Sequence, residues 1–377
     1  MNGKIALNYI YLSPHHAGGK DQVGLNLLKG FYENKDISDI CIICFEYSEK
    51  SLRCIAPGAE IIVLKSPRIQ NELQRYLYIC YTNTILIPKI IRKYKISLLF
   101  HLSCNTGIHK QRVTSVVLPH DIKQIAHRKL PGLTVPFYKY ILFKIMYYMD
   151  FKLNDGIIAI SEVDRREIQT CYPSCASKVF QIYNPIDCAC FHENGTCEAQ
   201  NIIAINLQFL HKNVITLIKA FEKVKEKIDD NLILVGDVPE RVSFLKEYVI
   251  KNNLQKRVKF TGFLSDSERI SLLQKSRLYV NPTLYEGFGM TAVEAMILGV
   301  PVLVSKIETN YEVTLGMCEY YEPAEDSDIL AAKILECMDK PIKDMDLEKI
   351  SQQIYGKYNY KIIAKQYRNY FMRMIGK

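Results

Sequence analysis

Apolar and polar positions in this chain follow two different periods, and residues 279–305 (YVNPTLYEGFGMTAVEAMILGVPVLVS) show both most clearly. The segment opens in an apolar run, which an Asn-Pro-Thr break ends, and this pattern predicts a strand and then a loop. From Gly289 apolar residues recur at helical spacing. Gly299 and Pro301 follow, as expected just past a helix C terminus. Together with a short apolar strand at residues 302–304, the pattern predicts a βαβ unit.

The same alternation runs through most of the chain. Further strands are predicted at residues 4–12, 40–45, 60–64, 96–101, 115–118, 202–205 and 232–235. Helices are expected near residues 22–32 and 70–94, and an amphipathic helix after residue 213 carries Leu217, Phe221 and Val224 on one face. Apolar strands that alternate with helices indicate α/β architecture, with parallel sheets covered on both faces.

Length and charge extend this picture. A chain of 377 residues is too long for one typical core and predicts two domains. Its 48% apolar and 24% charged composition is typical of a folded soluble protein. Residues 1–178 hold 24 Lys and Arg against 14 Asp and Glu, a net charge of +10, whereas the whole chain has a net charge of +9. The excess positive charge therefore lies in the first half of the chain. No nucleic-acid-binding motif accompanies this charge, and nucleic acid is not an expected partner.

The cysteines do not predict a metal centre. Twelve cysteines without a signal peptide indicate reduced thiols in a cytoplasmic protein. Cys41 and Cys44 would point to opposite faces of one strand. A further group lacks the paired spacing of a zinc site: Cys171, Cys175, Cys188, Cys190 and Cys197. Two Asp-x-Asp triplets, at residues 326–328 and 344–346, fall at expected helix starts, where aspartate is a common cap. No metal and no cofactor are therefore expected.

No apolar run approaches the ~20 residues that span a bilayer. The basic and aromatic region from His127 to Lys152 leaves two interpretations open. It predicts either a core helix whose lysines face solvent or a surface helix that touches lipid headgroups.

Two carboxylates give the βαβ unit a possible chemistry. Glu286 lies in the predicted loop, and Glu294 lies about one and a half turns into the helix that Gly289 opens. Free amides and the helix dipole favour phosphate at such a helix start, and carboxylates accept hydrogen bonds from hydroxyls. A diphosphate between two sugars, a nucleotide sugar, fits this arrangement. The alternative is that Glu286 caps the helix and Glu294 is a solvated surface residue.

The letters around these residues resemble the donor-binding signature of glycosyltransferase family 4, P-S-x-Y-E-G-F-G-x-x-x-x-E-A-M-x-x-G-x-P-V. Members are retaining GT-B enzymes with two Rossmann-like domains that face a central cleft. The resemblance implies that Glu286 contacts the donor sugar and that Glu294 holds the nucleotide ribose. It also implies a set of residues around the sugar and the diphosphate: Gly287, Phe288, Gly289, Met290 and Thr291.

Three more segments resemble the same family. Gly18 and Gly19 match its glycine-rich loop, which faces the donor diphosphate. VVLPHDI matches a V-x-x-H-D segment whose histidine, here His120, lies by the donor sugar. Lys212 matches a lysine that clamps the diphosphate. The arginine that accompanies this lysine is missing, and the sequence leaves open whether His211 replaces it.

The resemblance also suggests domain limits. Residues 1–178 would form an acceptor-binding domain and residues 179–357 a nucleotide-sugar-binding domain. The last helix, about 358–377, would cross back to the first domain.

We therefore expect a metal-independent, retaining transferase that moves a hexose or deoxyhexose from a nucleotide-diphosphate sugar to a hydroxyl. Its acceptor would be a glycan or a polyprenyl-diphosphate-linked glycan of a cell-surface polysaccharide such as lipopolysaccharide or capsule. The basic first half suits peripheral binding to an anionic membrane surface. The alternatives are a catalytically silent GT-B subunit, a nucleotide-sugar epimerase and a glycosidase. Base, sugar, acceptor and linkage are not determined.

Overall fold

The computed structural model describes residues 3–13, 18–66, 71–188 and 201–376, which form two compact units. The first unit comprises Met1–Ala126, Val135–Asp187 and Tyr358–Lys377, and the second comprises His127–Thr134 and Cys188–Lys357. The predictions for Cys190 and Cys197 concern residues outside the described part of the chain.

The first unit is built on a seven-stranded parallel sheet in the order β3-β2-β1-β4-β5-β6-β7. Its strands are β1 Lys4–Asn8, β2 Ile40–Phe45, β3 Glu60–Leu64, β4 Ile96–His101, β5 Thr114–Val117, β6 Gly156–Ala159 and β7 Val179–Gln181. Its helices are α1 Gly19–Glu33, α2 Glu46–Ile55, α3 Glu72–Tyr81, α4 Ile87–Tyr94, α5 Lys123–Ala126, α6 Phe137–Leu153 and α7 Glu162–Cys171. A π-helical turn, Thr82–Leu86, joins α3 to α4, and a 3₁₀ segment, Pro173–Lys178, precedes β7.

The second unit is built on a six-stranded parallel sheet in the order β10-β9-β8-β11-β12-β13. Its strands are β8 Asn201–Ile205, β9 Asn231–Val235, β10 Val258–Gly262, β11 Leu278–Asn281, β12 Val302–Ser305 and β13 Glu319–Tyr321. Its helices are α8 Val214–Val224, α9 Phe244–Lys251, α10 Asp266–Gln274, α11 Met290–Ile297, α12 Glu308–Val313, α13 Ser327–Asp339 and α14 Asp344–Tyr358. Two 3₁₀ turns, Leu210–Lys212 and Glu240–Val242, precede α8 and α9.

The final helix, α15 Tyr360–Ile375, packs in the first unit. Arg368 makes a two-fold ion pair with Asp39, at 2.8 and 2.6 Å. The Phe371 ring lies 6.3 Å from that of Phe31 on α1. The chain therefore returns to its first sheet after it has completed the second.

The predicted α/β class with two parallel-sheet domains is confirmed. In each sheet the strand order reverses once, between β1 and β4 and between β8 and β11. Open parallel sheets bind ligands beyond the carboxyl ends of the two strands at such a switch point. The fold thus indicates one crevice at the loops after β1 and β4 and another at the loops after β8 and β11.

The predicted domain limit at residues 178 and 179 stays a prediction. Val179–Gln181 pairs with β6 as the last strand of the first sheet, and the first compact unit continues to Asp187.

Local signals in the sequence explain several element ends. Asp326 caps α13, since its side chain accepts from the amides of Asp328 and Ile329. Gly299, with φ 72°, follows α11 in the left-handed conformation expected of a helix-ending glycine. No helix in the described residues is long and apolar enough to cross a membrane.

Candidate functional site

The crevice at β8 and β11 brings together the loops that carry the main predicted residues of the second unit. Asn213, which has φ 54° and immediately precedes α8, donates from Nδ2 to the Pro282 carbonyl at 3.1 Å. The His211 carbonyl accepts from the Leu284 amide at 2.8 Å. These bonds, one residue to either side of Lys212, fix that lysine against the loop after β11.

Lys212 and Glu286 form an ion pair at the centre of this crevice. Lys212 Nζ lies 2.5 Å from Glu286 Oε1, and the two side chains are only 14% and 11% exposed. Asn281 Nδ2 donates to the same oxygen at 3.1 Å. Burial raises the pKa of Glu286, but the Lys212 ammonium and the Asn281 amide outweigh burial and hold this pKa below its ordinary value. Glu286 is therefore an ionised hydrogen-bond acceptor at neutral pH.

Gly289 provides the helix start next to this pair. Its φ of 83° is a left-handed conformation that favours glycine, and α11 begins at the next residue. Thr291 Oγ1 accepts from Asn206 Nδ2 at 3.5 Å, which ties the first turn of α11 to the loop after β8. The first-turn amides of a helix lack intrahelical acceptors, so this turn can bind an anion beside Lys212.

Glu294, the predicted ribose ligand, is held by Arg269 of α10. The guanidinium contacts both carboxylate oxygens, at 2.5 and 3.4 Å, and the two side chains are 18% and 12% exposed. Burial raises the pKa of Glu294 above its ordinary value, and Arg269 opposes this effect. Glu294 is thus neither solvated nor free to turn. Arg269 was not predicted from the sequence, where its local signal is the capping box of Ser265 and Glu268 just before it.

Three residues occupy the stretch where the family's arginine is expected: Leu207, Gln208 and His211. Leu207 is fully buried in the core of the second unit. His211 is 3% exposed, and its ring stacks on Phe209 at 5.4 Å. Arg241, which was not predicted from the sequence, lies in the 3₁₀ turn before α9 and contacts this loop. It donates to the Gln208 carbonyl at 2.6 Å, and its guanidinium lies 4.8 Å from the centre of the Phe209 ring.

Gly18, Gly19 and His120 lie in the first unit. Gly18, with φ 138°, precedes α1, and Gly19 is the first residue of that helix. The Tyr11 ring lies 6.2 Å from that of His120, and the Tyr11 hydroxyl donates to the carbonyl of Lys20 at 3.1 Å. Tyr11, a residue missed in the sequence, therefore links the start of α1 to His120.

The hydrogen bond of His120 defines its chemistry. Nε2 lies 2.7 Å from the Leu102 carbonyl, which can only accept, so Nε2 carries the proton. Burial lowers the pKa of His120 to about 3, and the neutral ring therefore offers Nδ1 as an acceptor. The residue also holds φ 70°, a costly conformation for a side chain other than glycine. Such a histidine can accept from a sugar hydroxyl but cannot stabilise an anion.

The crevice of the second unit combines a cation, a helix start and two fixed carboxylates. This combination suits a phosphate ester that carries hydroxyl groups on either side. Within the described residues there is no group of three or more His, Cys, Asp or Glu side chains that could hold a metal ion. Fold and site together define a two-domain parallel α/β protein whose second unit holds a buried cation and two fixed carboxylates beside a helix start.

Comparison with known proteins agrees with this class. Residues 193–354 match the family model described as glycosyl transferases group 1. The O-antigen chain mannosyltransferase RfbU of Salmonella typhimurium is 27% identical over 191 residues, which are 50% of this chain and 53% of that protein. The N-acetyl-alpha-D-glucosaminyl L-malate synthase of Bacillus anthracis is 28% identical over 187 residues, 48% of this chain and 47% of that protein. The chain thus spans about half the length of these curated relatives.

Solved structures show the GT-B fold over the whole chain. Sucrose-phosphate synthase from Thermosynechococcus elongatus superposes with a TM-score of 0.77 at 16% identity and covers 100% of both chains. Anabaena Alr3699/HepE in complex with UDP and glucose superposes with a TM-score of 0.68 at 16% identity, over 98% of this chain and 100% of that one.

Proposed function

We propose that this protein is a glycosyltransferase that moves a hexose or deoxyhexose from a nucleotide-diphosphate sugar to a hydroxyl group. The observation that carries the proposal is the buried Lys212–Glu286 pair beside the start of α11, in a segment that matches group 1 glycosyl transferases. Lys212 and the residues 287–291 would bind the diphosphate and the sugar. Glu286 would orient the sugar, and Glu294 would accept from the ribose.

The reaction breaks the bond between the anomeric carbon and the diphosphate oxygen. A bond from the acceptor oxygen forms on the same face, and the acceptor proton moves to the leaving phosphate, so configuration is retained. Lys212 and the first-turn amides of α11 stabilise the negative charge that grows on the leaving group, the preorganised electrostatic effect that is usually the largest in catalysis. We propose that this charge stabilisation needs no metal and no cofactor.

The ion pair implies an exchange of partners when the donor binds. Without donor, Lys212 Nζ and Glu286 Oε1 satisfy each other at 2.5 Å. A donor phosphate would compete with Glu286 for the ammonium, while sugar hydroxyls would replace the ammonium at the carboxylate. The ammonium would thus keep an anionic partner and the carboxylate would keep hydrogen-bond donors, which limits the desolvation cost of binding.

The proposed acceptor is a glycan or a polyprenyl-diphosphate-linked glycan of a cell-surface polysaccharide, such as lipopolysaccharide or capsule. The O-antigen mannosyltransferases among the similar proteins support this class. The positive net charge of residues 1–178 favours an acceptor that carries phosphate or lies at an anionic membrane surface.

A thermal-shift screen against UDP, GDP, ADP, dTDP and CMP sugars tests the donor site, because a ligand that binds only the folded state raises its melting temperature. We expect one nucleotide family to stabilise the protein. Glu286→Gln should still bind that nucleotide without its sugar, but it should lose most transfer activity. Glu322→Gln, an exposed carboxylate paired with Lys306, is the matched control and should behave as the wild type. Full turnover by Glu286→Gln would refute the assigned role.

The missing arginine near Lys212 favours one second candidate, a catalytically silent GT-B subunit, and the fully buried Leu207 lies in the stretch where that arginine is expected. In that case the missing arginine would have cost donor binding. The same screen separates the two, since a silent subunit of this kind gives no shift with any nucleotide sugar.

A further inference from the structure

Helix α6 of the first unit is apolar on two opposite faces. Its inner face carries Phe143, Tyr147 and Phe151, which pack in a core cluster with β5 and β6. Its outer face, defined here by six residues, is exposed: Phe137 by 70%, Tyr138 by 69%, Ile141 by 37%, Leu142 by 53%, Ile145 by 54% and Met149 by 38%. Most helices of globular proteins turn a polar face outward, so this outer face is unusual.

The exposed charged residues of α6 are all positive. Lys139, Lys144 and Lys152 are exposed among the apolar residues. The helix has a single acidic residue, Asp150, which is buried and accepts from the amides of Asn105 and Thr106 at 2.9 and 2.7 Å. The outer face therefore offers cations and apolar groups but no carboxylate.

A second exposed apolar stripe lies on α3 and the π-helical turn that follows. Its members recur every fourth residue: Leu73 is exposed by 67%, Leu77 by 57%, Tyr81 by 49% and Ile85 by 42%. The loop that carries Asn105 is hydrogen-bonded to both helices. Asn105 donates from Nδ2 to the carbonyl of Tyr76 on α3 at 2.8 Å, and its backbone amide donates to Asp150 of α6. Ile108 of that loop is 68% exposed. Exposed apolar residues on neighbouring elements mark an interaction surface rather than scattered side chains.

We propose that this surface docks the first unit onto a membrane that contains anionic lipid, with α6 lying in the plane of the headgroups. Its aromatic and aliphatic side chains suit the boundary between headgroups and acyl chains, and its lysines suit lipid phosphate. At 17 residues α6 is about 26 Å long, so the contact is extended. A second copy fits this face poorly, since two copies of a face that has lysines but no carboxylate would bring together only like charges.

The test is co-sedimentation of the full chain with phosphatidylcholine vesicles and with vesicles that contain about 30% phosphatidylglycerol. We expect binding to the anionic vesicles only, and weaker binding at high salt because added ions screen the lysines. Two double variants of α6 test the surface: Lys139→Glu/Lys144→Glu and Leu142→Asp/Ile145→Asp. Each should lower the partition coefficient for anionic vesicles at least about tenfold, since each charge near the surface changes this coefficient about fivefold.

The matched control is Ile250→Asp/Lys251→Glu on α9 of the second unit, where Ile250 is 60% exposed and Lys251 is also exposed. It changes the same residue types and should bind vesicles as the wild type does. Equal sedimentation with neutral and anionic vesicles, or no loss in either α6 variant, would overturn the proposal. A wild-type dimer in solution that Leu142→Asp/Ile145→Asp dissociates would also overturn it. Because vesicle binding is measured without donor, its failure is distinct from a failure of the proposed transfer.

Discussion

Removal of the Lys212 ammonium is the most informative perturbation of this site. In Lys212→Met the Glu286 carboxylate, 11% exposed, keeps the Asn281 hydrogen bond but loses the ammonium that pairs with it at 2.5 Å. Breaking a buried pair in this way costs about 3–5 kcal/mol. The retained hydrogen bond returns about 1 kcal/mol of that amount. We therefore expect a stability loss of about 2–4 kcal/mol at neutral pH.

The pH dependence of this loss follows from the sign of the pKa shift. In the wild type the pKa of Glu286 is lowered, so its stabilising contribution is present above the unfolded pKa and is lost as the pH falls. In Lys212→Met burial acts without the ammonium and should raise this pKa, so the charged form becomes a cost that grows with pH. Glu286 can avoid this cost by taking up a proton, and the free energy of protonation rises by about 1.36 kcal/mol for each pH unit above an unfolded pKa of about 4.3. The cost of the buried charge is therefore at most about 3.7 kcal/mol at pH 7 and about 1 kcal/mol at pH 5.

The assay is chemical denaturation of wild type and Lys212→Met at both pH values. The destabilisation should be clearly larger at pH 7. Addition of Glu286→Gln to Lys212→Met should restore part of the stability at pH 7, because it removes the uncompensated charge. Lys223→Met is the control, since Lys223 and Asp328 are 41% and 82% exposed and such a pair contributes about 0–1 kcal/mol. Equal destabilisation at pH 5 and pH 7, or none, would refute the reasoning.

Two further predictions concern Arg269 and His120. Arg269→Lys keeps the positive charge but loses the fork that contacts both oxygens of Glu294, so the affinity for the donor nucleotide should fall about tenfold in a calorimetric titration; an unchanged affinity would contradict the ribose assignment. Because the pKa of His120 lies at about 3, this residue should cause no inflection in kcat/KM between pH 5 and pH 8. An inflection near pH 6.5 that His120→Asn abolishes would show that the ring is charged in the working enzyme.

Much of the architecture was predictable because it depends on short-range patterns. The alternation of apolar strands and amphipathic helices requires parallel sheets covered by helices, whichever residues fill the loops. Gly299 ends α11 and Asp326 begins α13 through bonds within a few residues of each, so the letters alone locate these ends. The Tyr279–Ser305 pattern likewise placed Glu286 in a loop and Gly289 at a helix start, since strand, loop and helix are contiguous there.

The tertiary structure decided which distant residues meet. The pairing of Lys212 with Glu286 depends on strand order, which brings β8 beside β11 although a long stretch of chain separates them. The pairing of Arg269 with Glu294 depends on how the helices on either side of β11 pack. No local pattern encodes that order. Helix α6 is a second feature that the sequence pattern could not resolve. Apolar residues lie on most of its circumference, so periodicity does not distinguish the buried face from the exposed one. The sequence determined where helices, strands and reactive groups occur along the chain, whereas only packing decided which charges are buried together and which apolar face meets solvent.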